Sequence, residues 1–511
     1  MSRALKSIAV AVAMAAVSTS AAAGVAHAQQ GTSLLSRSSG GGFPNGPSTQ
    51  AAISHDKRTA VYAAYASKAT NIVAGTTAGV ANVFLVRRST PFGVNGTPWE
   101  PGSTIVASTG LGGRPANGPS GLPALDGSSR TAPRCLVFVS AASNLVAGDT
   151  NGQPDAFLRD LGSGRIRRLS VNSAGRQANG PTSEVVVDGT CTRVAFVARA
   201  TNLAQSRRTT ASSSGALTTT PAAGTPQVYV RFLGGRTRFD QQVKGLTFLA
   251  SASDGRAAAS GAASGVGISR NGKVVTFSSA AGNLTGAGSA GKAQVYARTI
   301  TRRLGPRVHG RSVQTFVAHT ILVSRRPAGG PGNGDSTAPT IDAGGTHIAF
   351  QTRATDLLAG DPHGVTQIAR ATLAGDAVAL DWISSHKPGG ALGRSDSLRP
   401  AVTDGGSSVF YDTTDNALKS PDDTTAGRSV VLGRNYTVSE DSRNAYVPGD
   451  AVRAVVSPHE NYVLFESTNP FLDRSRGVAA YPALLTDFAA LAAYWADPSH
   501  AQVYLRYLGP K

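Results

Sequence analysis

Few residues in this chain have types and spacing suited to chemistry, and the clearest group is one short acidic loop. Asp149, Asn151 and Asp155 offer side-chain oxygens at close spacing, as parts of calcium-binding loops do. The full twelve-residue calcium pattern and its closing Glu are absent, and Asp and Asn also stabilise ordinary turns through nearby backbone N–H groups. We therefore predict at most one weak calcium site, with turn chemistry as the alternative.

Other signals for catalysis or for a bound cofactor are weak. The nine histidines show no zinc-ligand spacing, and no G-x-S-x-G nucleophile motif occurs. Glu is confined to five positions, which are Glu100, Glu184, Glu440, Glu460 and Glu466. We predict no catalytic residue, and no cofactor other than the weak calcium site.

The structural units that would position any functional residue are marked by a sequence pattern that occurs seven times. In each copy, an aromatic residue in an apolar run is followed six residues later by Asn or Asp. The pairs are Tyr65/Asn71, Phe138/Asn144, Phe196/Asn202, Phe277/Asn283, Phe350/Asp356 and Phe410/Asn416, with a shortened version at Phe465/Asn469. Repeats that carry only short, β-branched apolar runs indicate blades around an axis. The sequence therefore predicts an all-β, seven-bladed β-propeller of four-stranded antiparallel blades.

Repetition of a residue favours a structural role, since a catalytic residue is usually needed once. We expect the aromatics to fill the space between blades and each Asn to bond its own turn. A segment ending in Arg follows each Asn, at Arg87, Arg159, Arg231, Arg298, Arg370, Arg434 and Arg506. These arginines could connect neighbouring blades through carbonyls or carboxylates.

The chain ends predict how the ring closes. Outer strands that end in Ser occur at Ser108, Ser170, Ser251, Ser324, Ser384 and Ser439, which completes six units. The seventh unit reaches Arg506 without such a strand, whereas residues 32–37 (TSLLSR) resemble residues 320–325 (TILVSR). We therefore predict that the N-terminal strand completes the last blade and leaves no exposed sheet edge.

The second unit carries a family resemblance. Residues 138–152 (FVSAASNLVAGDTNG) and 155–160 (DAFLRD) resemble the WD40-like repeat of TolB-type propellers. The resemblance extends along essentially the whole mature chain and weakens in the last two units. TolB is periplasmic, so the resemblance implies an extracytoplasmic propeller of the secreted bacterial type.

The first residues predict export. Arg3 and Lys6 precede an Ala/Val-rich run and the small-x-small sequence Ala26-His27-Ala28, as in a secretory signal peptide. We predict a signal peptide at 1–28, with an uncleaved anchor as the alternative, and a propeller at 29–511. The protein would be secreted or periplasmic, with no transmembrane segment after cleavage.

Cys135 and Cys191 are the two cysteines, and they lie in equivalent neighbourhoods of consecutive units. An oxidising compartment would permit a disulfide between them, whereas the strand spacing could keep them apart. The sequence leaves both outcomes open.

The formal net charge is +19, which could attract the protein to acidic surfaces. No basic run with interleaved aromatics occurs, and a general abundance of Arg explains the charge. We therefore expect no specific nucleic-acid partner.

Loop geometry predicts where a partner would bind. Loops after the second strands and loops leading into the first strands leave a propeller on one face, whereas we expect only short turns on the other. Two insertions fall on the loop-rich face: a Ser/Thr/Ala-rich loop at 205–227 and a short amphipathic helix near 482–495. We predict a binding scaffold for a protein or a cell-envelope polymer, of undetermined oligomeric state. The alternative is a propeller hydrolase or lyase with its site at the channel mouth.

Overall fold

The computed structural model describes residues 31–509, except 57–58, 90–98, 205–218, 237–241, 244, 309–310, 361, 434–435 and 486. The predicted signal peptide, Arg434 and most of the 205–227 insertion lie outside the described residues. No helix in the described ranges is both long and apolar enough to cross a bilayer.

Short strands dominate this part of the chain. In chain order they are β1 (Gly31–Leu34), β2 (Ser48–Ile53), β3 (Tyr62–Ser67), β4 (Asn82–Arg88), β5 (Pro101–Val106), β6 (Ser120–Leu125), β7 (Cys135–Ser140), β8 (Asp155–Asp160), β9 (Ile166–Arg168), β10 (Thr182–Val187), β11 (Arg193–Ala198), β12 (Gln227–Phe232), β13 (Gly235–Arg236), β14 (Gln242–Val243), β15 (Leu246–Leu249), β16 (Ala263–Ile268), β17 (Val274–Ser279), β18 (Gln294–Val308), β19 (Arg311–Leu322), β20 (Ser336–Ile341), β21 (His347–Thr352), β22 (Gln367–Ala374), β23 (Ala377–Trp382), β24 (Ser397–Val402), β25 (Val409–Thr413), β26 (Ser429–Leu432), β27 (Ala451–Val456), β28 (Tyr462–Ser467) and β29 (Gln502–Tyr507).

Seven antiparallel sheets form the blades. Their strand orders are β2-β3-β4-β5, β6-β7-β8-β9, β10-β11-β12-β15, β16-β17-β18-β19, β20-β21-β22-β23, β24-β25-β26 and β27-β28-β29-β1. In the sixth blade the outer strand is reduced to a backbone bridge between Val431 and Thr437. The first strands of successive blades contact one another around a closed ring, β2-β6-β10-β16-β20-β24-β27-β2. The predicted seven-bladed β-propeller is confirmed.

The N-terminal strand closes the ring as predicted. β1 pairs antiparallel with β29, with Gly31 opposite Tyr507 and Leu34 opposite Tyr504. Beyond β1, the buried Ser36 Oγ accepts the Val503 N–H at 3.1 Å and donates to Gln502 Oε1 at 2.8 Å. The last blade is therefore assembled from both ends of the described chain.

Aromatic pairs form the centre of most blades. Facing second and third strands stack Phe138 on Phe157 and Phe277 on Tyr296, with ring centroids 5.9 and 5.7 Å apart. The paired rings are fully buried, and each packs with aliphatic side chains of neighbouring strands. The repeated aromatics thus fill the core, as the sequence predicts.

The predicted helix near 482–495 is present in part. A 3₁₀ turn spans Pro482–Leu485, and helix α2 spans Phe488–Ala496. The interruption coincides with Asp487, whose Oδ1 accepts the Ala490 N–H at 2.9 Å and starts a new helix. A preceding helix, α1 (Arg474–Ala480), is not predicted from the sequence.

One expectation about the blades is wrong. β18 and β19 are paired from Tyr296/Leu322 to Val308/Arg311, well beyond the length of a blade strand. This hairpin extends from the end of the blade where short turns alone were expected. The apolar alternation that marks blade strands does not continue through residues 302–312, so no sequence pattern predicts the extension.

Candidate functional site: the axial channel

The first strands of the seven blades line the axis, so their side chains define any central site. Because the strands of a blade are antiparallel, loops leading into the first strands and loops after the second strands leave on one face, here called the loop face. The turns between first and second strands leave on the other, here called the turn face. Helices α1 and α2 follow the second strand of the last blade and therefore belong to the loop face.

The third residue of each first strand forms one ring around the loop-face half of the channel. We call this set the bulge ring, and it consists of Gln50, Leu122, Glu184, Gly265, Ala338, Arg399 and Arg453. Six of the seven have positive φ, between 49° and 65°, and five of those six carry side chains. Positive φ costs energy in residues other than glycine and is often found at functional sites.

Side chains from the preceding blade hold the bulged backbone in place. Glu466 Oε1 accepts the Gln50 N–H at 2.7 Å, and Gln50 Oε1 in turn accepts the Leu122 N–H at 2.7 Å. Glu184 binds the N–H groups of Gly265 and Val266 at 3.1 and 2.8 Å. These bonds explain why the strained conformation persists around the ring.

Blades six and seven add a charged cluster to the bulge ring. Arg399 binds Asp412 through both Nε and Nη2, at 2.8 and 2.6 Å, and Arg428 Nη1 lies 3.3 Å from the same carboxylate. Arg453 Nη1 lies 3.2 Å from Glu466 Oε2. Asp412 Oδ1 also accepts the Arg453 N–H at 3.4 Å, which places the two bulge-ring arginines side by side.

The carboxylates of this cluster are hidden and the guanidinium groups are not. The side chains of Asp412 and Glu466 are 0% and 5% exposed, whereas those of Arg399 and Arg453 are 34% and 54% exposed. Burial raises the pKa of both carboxyl groups, and the arginines oppose that rise. The channel wall therefore presents hydrogen-bond donors and positive charge to solvent.

Backbone contacts bring the turns together at the other end of the channel. The Gly189 N–H donates to Arg270 O at 2.9 Å, and the Ala343 N–H donates to Asp404 O at 3.2 Å. A Cβ on Gly189 would lie 2.7 Å from Gly127 O, so only glycine fits this approach. The channel is thereby narrowed at its turn-face end.

Three side chains from blades one, four and six meet at this point, and we call them the axial lock. His55 Nδ1 lies 3.2 Å from Asp404 Oδ1, and Arg270 donates to His55 Nε2. Arg270 Nε lies 3.7 Å from the same Asp404 oxygen. A 560 Å³ cavity, lined in part by Arg270, Asp404 and His459, lies outside the lock on the turn face.

The lock has a defined charge state. Burial, reinforced by the Arg270 charge, lowers the pKa of His55. Burial would raise the pKa of Asp404, but His55 and Arg270 outweigh it and lower this pKa to about 2. A neutral His55 therefore donates to ionised Asp404 and accepts from Arg270, so both of its ring nitrogens are engaged.

The predicted calcium residues lie together, but on the outer part of the second blade. Asp149 Oδ1 lies 3.2 Å from Arg168 Nη2, and Asp155 Oδ2 lies 3.5 Å from Arg168 Nε. Asp155 also accepts bonds from Ser170 and Asn151, at 2.5 and 3.0 Å. An arginine thus lies where a cation would bind, and calcium binding here stays a prediction that requires Arg168 to move.

The two cysteines lie at the junction of blades two and three. Cys135 Sγ and Cys191 Sγ are 2.03 Å apart, the separation of a disulfide. The neighbouring Asp126 is fully buried; its Oδ1 accepts the N–H groups of Arg134 and Cys135 at 2.7 and 2.9 Å. Burial raises the pKa of Asp126 to about 6.

The repeated asparagines act differently from the expected turn bonding. Asn144 Oδ1 accepts the Asn117 N–H at 3.1 Å, and Asn117 Oδ1 accepts the Ser143 N–H at 2.9 Å. The same exchange links Asn179 with Asn202, and Asn45 with Asn71. The expectation of bonding within one turn is wrong for these asparagines, because each fixes a second loop of its own blade. It is confirmed at Asn469, whose Oδ1 accepts the Phe471 N–H at 2.8 Å.

The repeated arginines do connect blades. Arg159, Arg231 and Arg298 donate to carbonyls at the outer end of the preceding blade, namely Ala107 O, Val171 O and Ala252 O, at 3.2, 3.1 and 2.6 Å. Arg506 also reaches the preceding blade, where it donates to the Glu440 carboxylate. Arg370 instead reaches Gly406 O and Ser407 O of the following blade, at 3.0 and 3.1 Å.

The bulge ring and the axial lock are not predicted from the sequence. The residues that recur indicate the architecture, whereas these positions vary from blade to blade. A usable signal is present: between a recurring small residue at the strand start and an apolar strand end, the third position changes from Gln to Leu, Glu, Gly, Ala and Arg. Variation at one fixed position of an architectural repeat indicates a surface free to specialise.

Fold and channel together define a seven-bladed β-propeller with a charged axial channel. No protein-family model matches the sequence, and no curated protein matches it either. Solved structures that resemble the chain include the β-propeller domain of the Trilobed protease from Pyrococcus furiosus, with 8% identity and a TM-score of 0.39 over 83% of this chain and 90% of that one.

TolB from Acinetobacter baumannii also matches, with 8% identity and a TM-score of 0.28 over 67% of this chain and 74% of that one. A prolyl endopeptidase matches with 12% identity and a TM-score of 0.38 over 82% of this chain. The chain spans 46% of that endopeptidase's length. TolB is thus among the similar structures, but these likenesses are too distant to indicate a function.

Proposed function

We propose that the protein is a non-enzymatic binding propeller outside the cytoplasm, whose loop face takes up a protein or a cell-envelope polymer. The observation that carries this proposal is the asymmetry of the channel. Arg453 and Leu122 are exposed in its loop-face half, whereas the axial lock crosses its turn-face end. A ligand would therefore approach the channel from the loop face.

The loop face also offers a pre-formed surface. The paired asparagines fix loops to each other, which reduces the entropy lost when a partner binds. Helix α1 lies against the loop before β2, with Tyr481 packed 5.3 Å from Phe43 between ring centroids. Leu111 and Val478 are exposed on this face, at 53% and 40%. Apolar groups on a fixed surface are suited to a macromolecular partner.

The hydrolase or lyase alternative receives less support. Its best residues are His55 and Asp404, which resemble a base and its orienting carboxylate. Arg270 binds the ring nitrogen that such a base would need. The lock therefore resembles a structural tie between blades more than a site ready for proton transfer.

Two matched substitutions test the proposed face. We expect Val478→Glu to reduce retention of the mature protein on an insoluble envelope fraction, because it places a charge on the loop face. Val317→Glu is the control, since Val317 is 48% exposed on the outer strand β19. Equal retention of both variants, or loss with Val317→Glu alone, would contradict the proposal.

A further inference from the structure

Charged, apolar and small side chains are distributed unevenly around the bulge ring, and this distribution indicates a ligand. Arg399 and Arg453 lie on adjacent first strands, with partly exposed side chains and buried counter-ions. Leu122, 39% exposed, lies on the same ring two blade junctions beyond Arg453. Between Glu184 and Arg399 the ring carries only Gly265 and Ala338, so that side of the ring has no charged or large side chain.

From this arrangement we propose that Arg399 and Arg453 bind carboxylates of an acidic peptide segment that enters the channel from the loop face. This inference rests on the proposed function and names the recognition chemistry of the same site. A guanidinium group presents planar paired donors that match a carboxylate. The buried carboxylates of Asp412 and Glu466 already fix the positions of the two arginine side chains. These side chains therefore lose little conformational entropy when a ligand binds.

A peptide fits the ring better than an anionic polysaccharide or polyphosphate does. Leu122 offers an apolar contact beside the charged side of the ring, which suits a segment that carries both apolar and acidic side chains. None of the seven bulge-ring residues is aromatic, so the ring has no flat surface on which a sugar could stack. A uniformly charged polymer would leave Leu122 unused and would meet the carboxylate of Glu184.

The strained backbone supports the same conclusion. Arg399 and Arg453 have φ values of 52° and 57°, which L-residues rarely adopt. The Arg399 N–H donates to Gln351 Oε1 at 3.1 Å and the Arg453 N–H donates to Asp412 Oδ1 at 3.4 Å, and these bonds hold the conformation. Strain that neighbouring side chains maintain is consistent with arginines pre-oriented for binding.

Selection from a random heptapeptide library on the mature protein tests the inference. We expect enriched peptides to carry Asp or Glu, and their affinity to fall with added salt. The double variant Arg399→Lys/Arg453→Lys keeps both charges beside Asp412 and Glu466, so it should still fold, with a melting temperature lowered by only a few degrees because lysine cannot replace both bonds to Asp412. It should bind the best peptide about tenfold more weakly, because lysine cannot make the paired contact.

Arg114→Lys is the matched control, since Arg114 is an exposed loop-face arginine outside the ring, and it should leave the affinity unchanged. The inference is overturned if no peptide is enriched, if the enriched peptides lack acidic residues, or if the double variant binds them as tightly as the native chain. Arginine-dependent binding of polyphosphate without any peptide binding would also overturn it. If the double variant were still retained on envelope material through its loop face, the proposed function would stand although this inference had failed.

Discussion

Single residues decide how the seven similar blades differ. A small residue recurs at the start of every first strand, while the third position changes and carries the charges of the channel. Where that residue is arginine, a buried acid lies behind it. The buried acids Asp412 and Glu466 are therefore as important to the site as the exposed arginines.

We expect Asp412→Asn to destabilise the fold by about 3 kcal/mol, because it leaves Arg399 and Arg428 without a buried counter-charge. Denaturant unfolding would measure this change. Asp376→Asn is the control: Asp376 is 79% exposed beside His319, and its loss should alter stability by less than about 0.5 kcal/mol. Similar effects of the two substitutions would contradict the assigned role of Asp412.

The contributions of His55 and His319 to the stability of the fold should change in opposite directions as the pH falls. The pKa of His55 is lowered by burial and by Arg270, so its contribution to stability is present above its ordinary value of 6.5 and is lost as the pH falls. The pKa of His319 is raised by its hydrogen bond to Asp254 and by the nearby charges of Asp254 and Asp376. Its contribution is present at low pH and is lost as the pH rises through the folded pKa.

Melting temperatures between pH 7.5 and about pH 5 would show this contrast. Relative to the native chain, His55→Gln should become less destabilising as the pH falls, and His319→Gln more destabilising. The same trend in both variants would show that the axial lock has been assigned the wrong charge state.

Calcium should bind weakly if it binds at all. Arg168 contacts both Asp149 and Asp155, and Ser170 donates to Asp155, so a calcium ion would have to displace a charged group. Calorimetry with millimolar calcium should show no more than one weak site, and Arg168→Gln should strengthen it. Several tight sites would mean that the Asp and Asn residues of the repeats have another role.

At the scale of elements, the sequence predicted the strands where neighbouring contacts repeat. The apolar runs that hold the repeated aromatics are second strands, as Phe138 in β7 and Phe196 in β11 show. Their positions follow from apolar runs that bury both faces. The outer elements depended on context: the sixth outer strand is only a bridge, β19 is extended, and the predicted helix is divided at Asp487.

Ring closure depends on the short strand β1 and can be tested by changing that strand. Deleting residues 32–37 should unpair the last blade and lower the melting temperature by several degrees. A smaller change, Ser36→Ala, should cost about 1–3 kcal/mol because the buried Val503 N–H loses its partner. Ser38→Ala removes a hydroxyl from the more exposed loop nearby and serves as the control. An unchanged melt on deletion would contradict closure by β1.

At the scale of the whole molecule, the repeats supplied the architecture and gave no information on which end of the channel is open. Blade number follows from a pattern that repeats about every seventy residues, and closure follows from the resemblance of residues 32–37 to residues 320–325. The axial lock joins His55, Arg270 and Asp404 across three blades, and no local pattern relates positions so far apart. The asymmetry of the channel can therefore be seen only in the three-dimensional contacts and not in the sequence.

The orientation of the channel is also the central claim about function. Cross-linking the mature protein to an envelope extract, followed by identification of the linked peptides, tests it most directly. We expect links on the loop face, at residues 117–120, 179–182 and 474–496. Links concentrated at the turns near Asp188, Asn271 and Gly405, or along the β18–β19 hairpin, would place the partner on the turn face and contradict it.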